Sequence, residues 1–158
     1  MAENTRQSKL PLFSQIFLLG YALVVGWAIF NFMILPSGPF RWDQAAHSVI
    51  AALVDQDISD GNWLALFYDL YRQVYWHAVH PFLLGTTFAI GGLSPILARS
   101  LSLFLFWGSA LLIYLAGWKV DNGRGYRVAF IATVLFLTSP GLLPFAGQVM
   151  LEMTAVFF

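Results

Sequence analysis

The chain of 158 residues contains no cysteine and very few charged residues. The absence of cysteine excludes a disulfide framework and any metal site built on thiolates. Asp, Glu, Lys and Arg make up only 10% of the chain, whereas soluble domains carry about 25%. Basic and acidic residues balance, and this zero net charge gives no electrostatic reason to expect nucleic acid or an acidic partner.

The chain is rich in hydrophobic residues, which make up 59% of it, and its mean hydropathy is +0.71. This composition predicts an all-α polytopic membrane protein, because helices satisfy their own backbone hydrogen bonds in lipid. Three apolar stretches are predicted to span the membrane, namely residues 12–35, 96–118 and 128–147. The motif Thr138-Ser139-Pro140-Gly141 is expected to kink or end the third stretch.

A fourth apolar segment begins near Thr154, and the chain stops inside it. We therefore expect residues 1–158 to be the amino-terminal part of a longer transmembrane domain. Residues 36–95 form a long loop between the first two spans, with amphipathic juxtamembrane helices predicted at 42–54 and 63–74. In the first of these helices the apolar residues share one predicted stripe: Ala46, Val49, Ile50 and Leu53.

The positions of lysine and arginine predict the orientation of the chain. Arg6 and Lys9 precede the first span, and residues 119–127 form a short basic loop after the second. Basic loops favour the cytoplasm, which predicts a cytoplasmic amino terminus and an outer loop at residues 36–95. The first apolar run has 24 residues, longer than the roughly 7–15 of a signal peptide, so we expect a retained anchor.

The apolar stretch His80–Leu93 complicates this topology. It has 14 residues, too few to cross about 30 Å of hydrocarbon as a helix. It either forms a further span or lies in the interface. A further span would force the basic loop outside, and the charge distribution therefore favours the interface.

Two acidic residues, Asp43 and Glu152, are the main candidates for chemistry. Each lies just outside an apolar stretch, and the predicted orientation puts both on the outer side. A charged group at bilayer depth costs about 2.5–3.5 kcal/mol or more, so such groups often serve a function. Asp43 could act as a general base or only stabilise a helix amino terminus, and Glu152 could be an ordinary interfacial acid.

Three histidines lie in the same loop. His47 follows Asp43 by one helical turn and is predicted to be its neighbour. His77 and His80 have a spacing that could bind a metal ion, but no third ligand follows at helical spacing.

Short motifs occur along the chain in a fixed order: Trp42-Asp43-Gln44, His80-Pro81-Phe82-Leu83-Leu84, Gly92-Leu93-Ser94, Ala98-Arg99 and Met150-Leu151-Glu152. Over most of residues 12–158, this order resembles the amino-terminal third of polyprenyl-phosphate-sugar glycosyltransferases of the GT-C superfamily. The similar group contains the protein O-mannosyltransferases and aminoarabinose transferases. Its members usually have Glu where this chain has Gln44, and a second Pro where it has Phe82.

The resemblance implies a multi-pass glycosyltransferase of the bacterial inner membrane. It would transfer a sugar from a polyprenyl-phosphate donor to a hydroxyl of a glycan, lipid or protein acceptor at the outer face. Asp43 would match the base that activates this hydroxyl, with inversion at the anomeric carbon. Glu152 would match a second acid that shapes the acceptor or metal site.

Three further residues are candidate substrate contacts by the same resemblance. Arg99 would lie near the lipid phosphate, and His47 and His80 would bind substrate. Use of a divalent cation varies among such enzymes, so the cofactor stays open. Later segments would supply much of the lipid site, and residues 1–158 alone are expected to be inactive.

A non-enzymatic class is the rival hypothesis. In a transporter or channel subunit, Asp43 and Glu152 would line an ion path, and helices broken by Gly and Pro would suit such a protein. A transporter needs the acids near the midplane of the bilayer, whereas a lipid-linked transferase needs them at the outer interface. A small membrane scaffold without a lipid-phosphate site is a third possibility.

Overall fold

The computed structural model describes residues 12–41, 43–72, 78–120 and 125–158, in which all regular structure is helical. Within them the α-helices are α1 (Leu12–Ile29), α2 (Asp43–Ser59), α3 (Trp63–Tyr71), α4 (Val79–Gly91), α5 (Pro95–Lys119), α6 (Gly125–Leu137), α7 (Leu143–Ala146) and α8 (Leu151–Phe157). A π-helical segment, Phe30–Ile34, continues α1. Trp42, Val74 and His77, which belong to the predicted helices and the predicted metal pair, lie outside the described residues.

Two helices are long and apolar enough to cross a membrane. They are Phe13–Ile34, with 22 residues, and α5, with 25 residues. At about 1.5 Å per residue, each exceeds the roughly 30 Å of a hydrocarbon core. They coincide with the first two predicted spans, which supports a helical membrane protein.

The third predicted span differs from a continuous helix. α6 has 13 residues and ends at Leu137, after which the chain turns before the four-residue α7. Pro140 explains the break, because proline has no N–H to donate and its ring clashes with the preceding helical turn. The prediction that residues 138–141 end or kink this stretch agrees with the structure.

α5 forms the centre of the helical packing. The indole N–H of Trp107 donates a hydrogen bond to the carbonyl of Ala22 in α1, at 3.2 Å. On the α6 side, the rings of Phe106 and Phe136 stack with centroids 5.0 Å apart. At the start of α5, Arg99 bonds Ser37, which follows the end of the α1 segment. α1 and α5 are therefore antiparallel, and we call the end where Ser37 meets Arg99 the Arg99 end.

α2 and α4 form a second packed pair beside this core. Gly85 of α4 lies against Val54 and the carbonyl of Ala51 in α2, with no room for a side chain. The buried face of α2 comprises His47, Ser48, Ala51 and Val54. This corrects the stripe predicted from the apolar residues, because Val49 is 63% exposed and two polar residues take the inner face.

Candidate functional site

Two histidines from α2 and α4 pack against each other in the interior. The His47 and His80 rings meet edge to face, with centroids 5.0 Å apart. Their side chains are 3% and 1% exposed, respectively. Both lie beneath the surface, so substrate cannot reach either ring without movement of the surrounding helices.

Helix α8 joins this pair through a hydrogen bond. Nδ1 of His80 lies 2.7 Å from the hydroxyl of Thr154, which is also buried. Nε2 of His80 has no hydrogen-bond partner among the described residues. Helices α2, α4 and α8 thus meet at His80. Nε2 of its ring is the polar atom that makes no hydrogen bond within the described residues.

The two candidate acids both lie close to His47. Asp43 is the first residue of α2 and is exposed, one turn before His47. Glu152 is in the first turn of α8, half-buried, and its Oε2 has no partner among the described residues. Burial lowers the pKa of His47, and the charges of Asp43 and Glu152 partly oppose that shift. The fold therefore brings the two acids within electrostatic reach of one imidazole.

The same burial determines the protonation state of His80. Its pKa is lowered from 6.5 to about 4 by desolvation, with a smaller contribution from His47. His80 is thus neutral at pH 7, and one of its ring nitrogens is a hydrogen-bond donor while the other is an acceptor. Burial thus favours the neutral form of both imidazoles in the site.

Arg99 organises the neighbouring part of the site. It is 4% exposed, and its Nη1 donates to the Ser37 hydroxyl at 2.6 Å and to the Gly38 carbonyl at 2.9 Å. Its Nη2 donates to Oε1 of Gln44 at 3.2 Å, and its guanidinium lies over the Phe40 ring. These contacts fasten the end of the α1 segment and the start of α2 to α5.

A cleft of about 360 Å³ opens beside Arg99. Its wall is formed by the segment after α1, the start of α2, the start of α5 and the turn before α8: Met33, Ser37, Gly38, Pro39, Arg41, Gln44, Arg99, Gly147 and Gln148. Gln44 directly follows Asp43, and Gln148 precedes Glu152 by four residues. The cleft therefore adjoins the segments that carry both acids.

The described residues contain no group of three or more His, Asp or Glu side chains placed to hold a metal ion. His80 uses Nδ1 for Thr154, and His77 falls outside those residues.

Several residues of this site were not identified from the sequence. Thr154 contacts His80 across 74 positions, and Ser37 contacts Arg99 across 62. In the sequence Gln44 stands out only as a departure from an acidic pair, yet its side chain accepts a hydrogen bond from Arg99. A buried arginine needs acceptors, so Arg99 was the one signal that polar partners had to exist elsewhere in the chain.

No protein-family model, no curated protein and no solved structure matches this chain.

Proposed function

We propose that the chain belongs to a membrane glycosyltransferase that moves a sugar from a polyprenyl-phosphate donor to a hydroxyl acceptor. One observation carries the proposal: the contacts of His80 with His47 and Thr154 bring the start of α2, which carries Asp43, together with α8, which carries Glu152. A transfer of this kind needs a carboxylate that the acceptor can reach. Asp43 meets this requirement because its side chain is exposed. Its neighbour in the site, Glu152, is half-buried and suited to holding another group in place.

The proposed step is a single displacement at the anomeric carbon. Asp43 takes the proton from the acceptor hydroxyl. At the same time the oxygen of that hydroxyl forms the new bond to the anomeric carbon. The bond from the anomeric carbon to the phosphate oxygen breaks, and the polyprenyl phosphate leaves with the electron pair. Glu152 orients the acceptor, and the buried His47 and His80 hold α2, α4 and α8 together behind the two acids.

The antiparallel arrangement of α1 and α5 supports an outer location for this site. Ser37 and Arg99 meet at one end, so the chain between them leaves the helix pair and returns at the same end. In a bilayer crossed by α1 and α5, this favours an interfacial α4, whose 13 residues cover only about 20 Å. With a cytoplasmic amino terminus, the Arg99 end and both acids face outward.

The test is sugar transfer by the full-length protein in membrane vesicles supplied with a polyprenyl-phosphate-linked sugar. Asp43→Asn keeps the shape of the side chain and removes its basicity, so transfer should fall by at least about 100-fold. Glu152→Gln should reduce transfer less, by about tenfold. The matched control is Asp60→Asn, which changes another exposed outer acid, after the end of α2, and should leave transfer unchanged.

Near-normal transfer by Asp43→Asn rules out Asp43 as the base. If the same variant instead changes proton or cation flux through vesicles containing the protein, the two acids belong to an ion path.

A further inference from the structure

An apolar groove lies between α1, α5 and α6 and has a volume of about 480 Å³. We call it the α1–α5 groove. It runs along α1 from Gln15 to Leu23 and along α5 from Trp107 to Tyr114, which is about 10–12 Å at 1.5 Å per residue. Because α1 and α5 are antiparallel, Gln15 and Tyr114 lie at the same end. The groove therefore occupies the half of the two spans that is remote from the Arg99 end.

Trp107 closes the groove on the side of the Arg99 end. Its ring lies against Gly26 of α1, where a Cβ atom would overlap the indole, and its N–H donates to the carbonyl of Ala22 at 3.2 Å. This bulky ring fills the space between the two helices at that level. Toward Gln15 and Tyr114 no residue of the described chain fills the same space, and the groove remains.

The polar side chains of the groove fall into two groups. Within the groove, the indole N–H of Trp107 and the hydroxyl of Thr133 both donate to backbone carbonyls. Gln15 and Tyr114, at the open end, make no hydrogen bond with any residue that the structure describes. An amide or hydroxyl without a partner is costly in hydrocarbon, so these two side chains need a polar partner from outside the described chain.

The size of the groove fits a lipid chain better than a further helix. A helix with its side chains is about 10–12 Å wide, so a 12 Å length of it would occupy roughly 1,000 Å³, about twice the volume of the groove. A methylene group takes about the volume of a water molecule in the liquid, roughly 30 Å³. The groove therefore holds roughly 16 methylene groups, which corresponds to one acyl chain.

Basic residues lie beyond the open end of the groove. Lys119 ends α5, about 7.5 Å past Tyr114, and Arg127 is in the first turn of α6. Both are exposed, and neither forms a salt bridge with a described residue. The whole segment 119–127 contains three basic residues and one acid. Basic pockets between spanning helices on the cytoplasmic side attract acidic lipid headgroups.

We propose that the α1–α5 groove binds one acyl chain of an anionic glycerophospholipid of the cytoplasmic leaflet. Lys119 and Arg127 attract its headgroup, and Gln15 and Tyr114 hydrogen-bond the ester groups that join the chains to glycerol. The site is at the opposite end of the spans from Asp43, so its ligand is a bilayer lipid and not the sugar donor. The proposal rests on α1 and α5 crossing a membrane and does not depend on sugar transfer.

The experiment is photocrosslinking of the full-length protein in phosphatidylcholine vesicles. The probe is phosphatidylglycerol with a photoactivatable diazirine in one acyl chain, and mass spectrometry maps the labelled peptides. Label should concentrate on residues 18–23 of α1 and 107–111 of α5. Excess unlabelled phosphatidylglycerol should displace it, and the same addition of phosphatidylcholine should not.

A variant that fills the groove tests the position of the chain. Leu111 lines the groove and is 58% exposed, so Leu111→Trp puts an indole in the space of the acyl chain. Labelling should fall at least about tenfold, because the larger side chain excludes the ligand by steric clash. The matched control is Leu112→Trp, the same change at the next residue of α5, which is also exposed but does not line the groove.

Charge variants test the headgroup contacts separately. Lys119→Gln and Arg127→Gln should each reduce the preference for phosphatidylglycerol over phosphatidylcholine by about fivefold, the usual effect of one basic residue at an anionic surface. The matched control is Arg72→Gln, an exposed arginine that follows α3 in the loop between the two spans and is paired with Asp69. It should leave the preference unchanged.

Three results would each overturn the proposal. The first is labelling spread evenly over lipid-facing residues outside the groove, such as Phe104 and Leu135, or missing from the groove because another part of the full-length protein covers it. The second is equal displacement by the two lipids. The third is labelling that Leu111→Trp and both charge variants leave unchanged. None of these results bears on Asp43, because transfer is measured at the other end of the spans.

Discussion

At the scale of single residues, His80 shows how the fold keeps a titratable group neutral. Its ring is buried between α2 and α8, touching His47 and bonding Thr154. A positive charge there would lose its hydration and would lie beside a second imidazole. Both effects favour the neutral ring and lower the pKa of His80 from 6.5 to about 4.

This shift predicts that acid destabilises the protein. Between pH 6.5 and 4 the unfolded chain binds the proton at His80 and the folded chain does not, so stability falls as the pH falls. The loss from His80 should total about 3 kcal/mol once the pH reaches 4. His80→Gln removes this titration and can keep a hydrogen bond to Thr154, so its unfolding free energy should change less with pH.

The measurement is thermal unfolding in detergent micelles at a series of pH values between 7 and 4. The lowered pKa of His47 contributes in the same direction, so His80→Gln should reduce the pH dependence without abolishing it. An unchanged pH dependence in this variant would show that His80 is not kept neutral by burial.

At the scale of helices, small residues allow the close contact between α5 and α6. A Cβ atom at Gly117 would lie 2.6 Å from the Cα of Ala129 and 2.9 Å from its nitrogen. Backbone atoms cannot move aside as a flexible side chain can. Close approach through glycine is a common way of packing helices in membranes, where burial from water gives no driving force.

Gly117→Ala should therefore destabilise the protein by about 1–3 kcal/mol, the usual cost of overpacking. Gly20→Ala is the matched control, because a Cβ at Gly20 in α1 meets no atom within 4 Å. Alanine there should be neutral or stabilise the helix by up to about 1 kcal/mol. Equal stability of the two variants in thermal unfolding would mean that α5 and α6 do not pack as described.

The helices differ in how far the sequence predicts them. α1 and α5 follow from hydropathy, because a long apolar run has few alternatives to a helix. The end of α6 follows from Pro140. The inner face of α2 does not follow, since polar His47 and Ser48 are buried and apolar Val49 is exposed. In a protein with apolar surfaces toward lipid, apolar periodicity does not identify the core face.

At the scale of the whole molecule, contacts between distant segments build the site. Asp43 and Glu152 were predicted as candidates because each follows an apolar stretch, and the fold brings both near His47. The pairing of His80 with Thr154 and of Arg99 with Gln44 was not predictable. One sequence records which residues are polar and does not record which of them meet.

If Asp43 of α2 and Glu152 of α8 belong to a single site beside His47, thiols placed at the two positions should lie within reach of a short cross-linker. Residues 1–158 contain no cysteine, so two thiols introduced here are the only ones in this part of the protein. We expect a short bismaleimide to join Asp43→Cys and Glu152→Cys in the membrane-embedded full-length protein. The pair Asp60→Cys and Glu152→Cys should not react, because position 60 lies beyond the other end of α2, about 25 Å from position 43. Cross-linking of the first pair alone is the predicted result, and failure of that pair, or equal yields for both, contradicts the account.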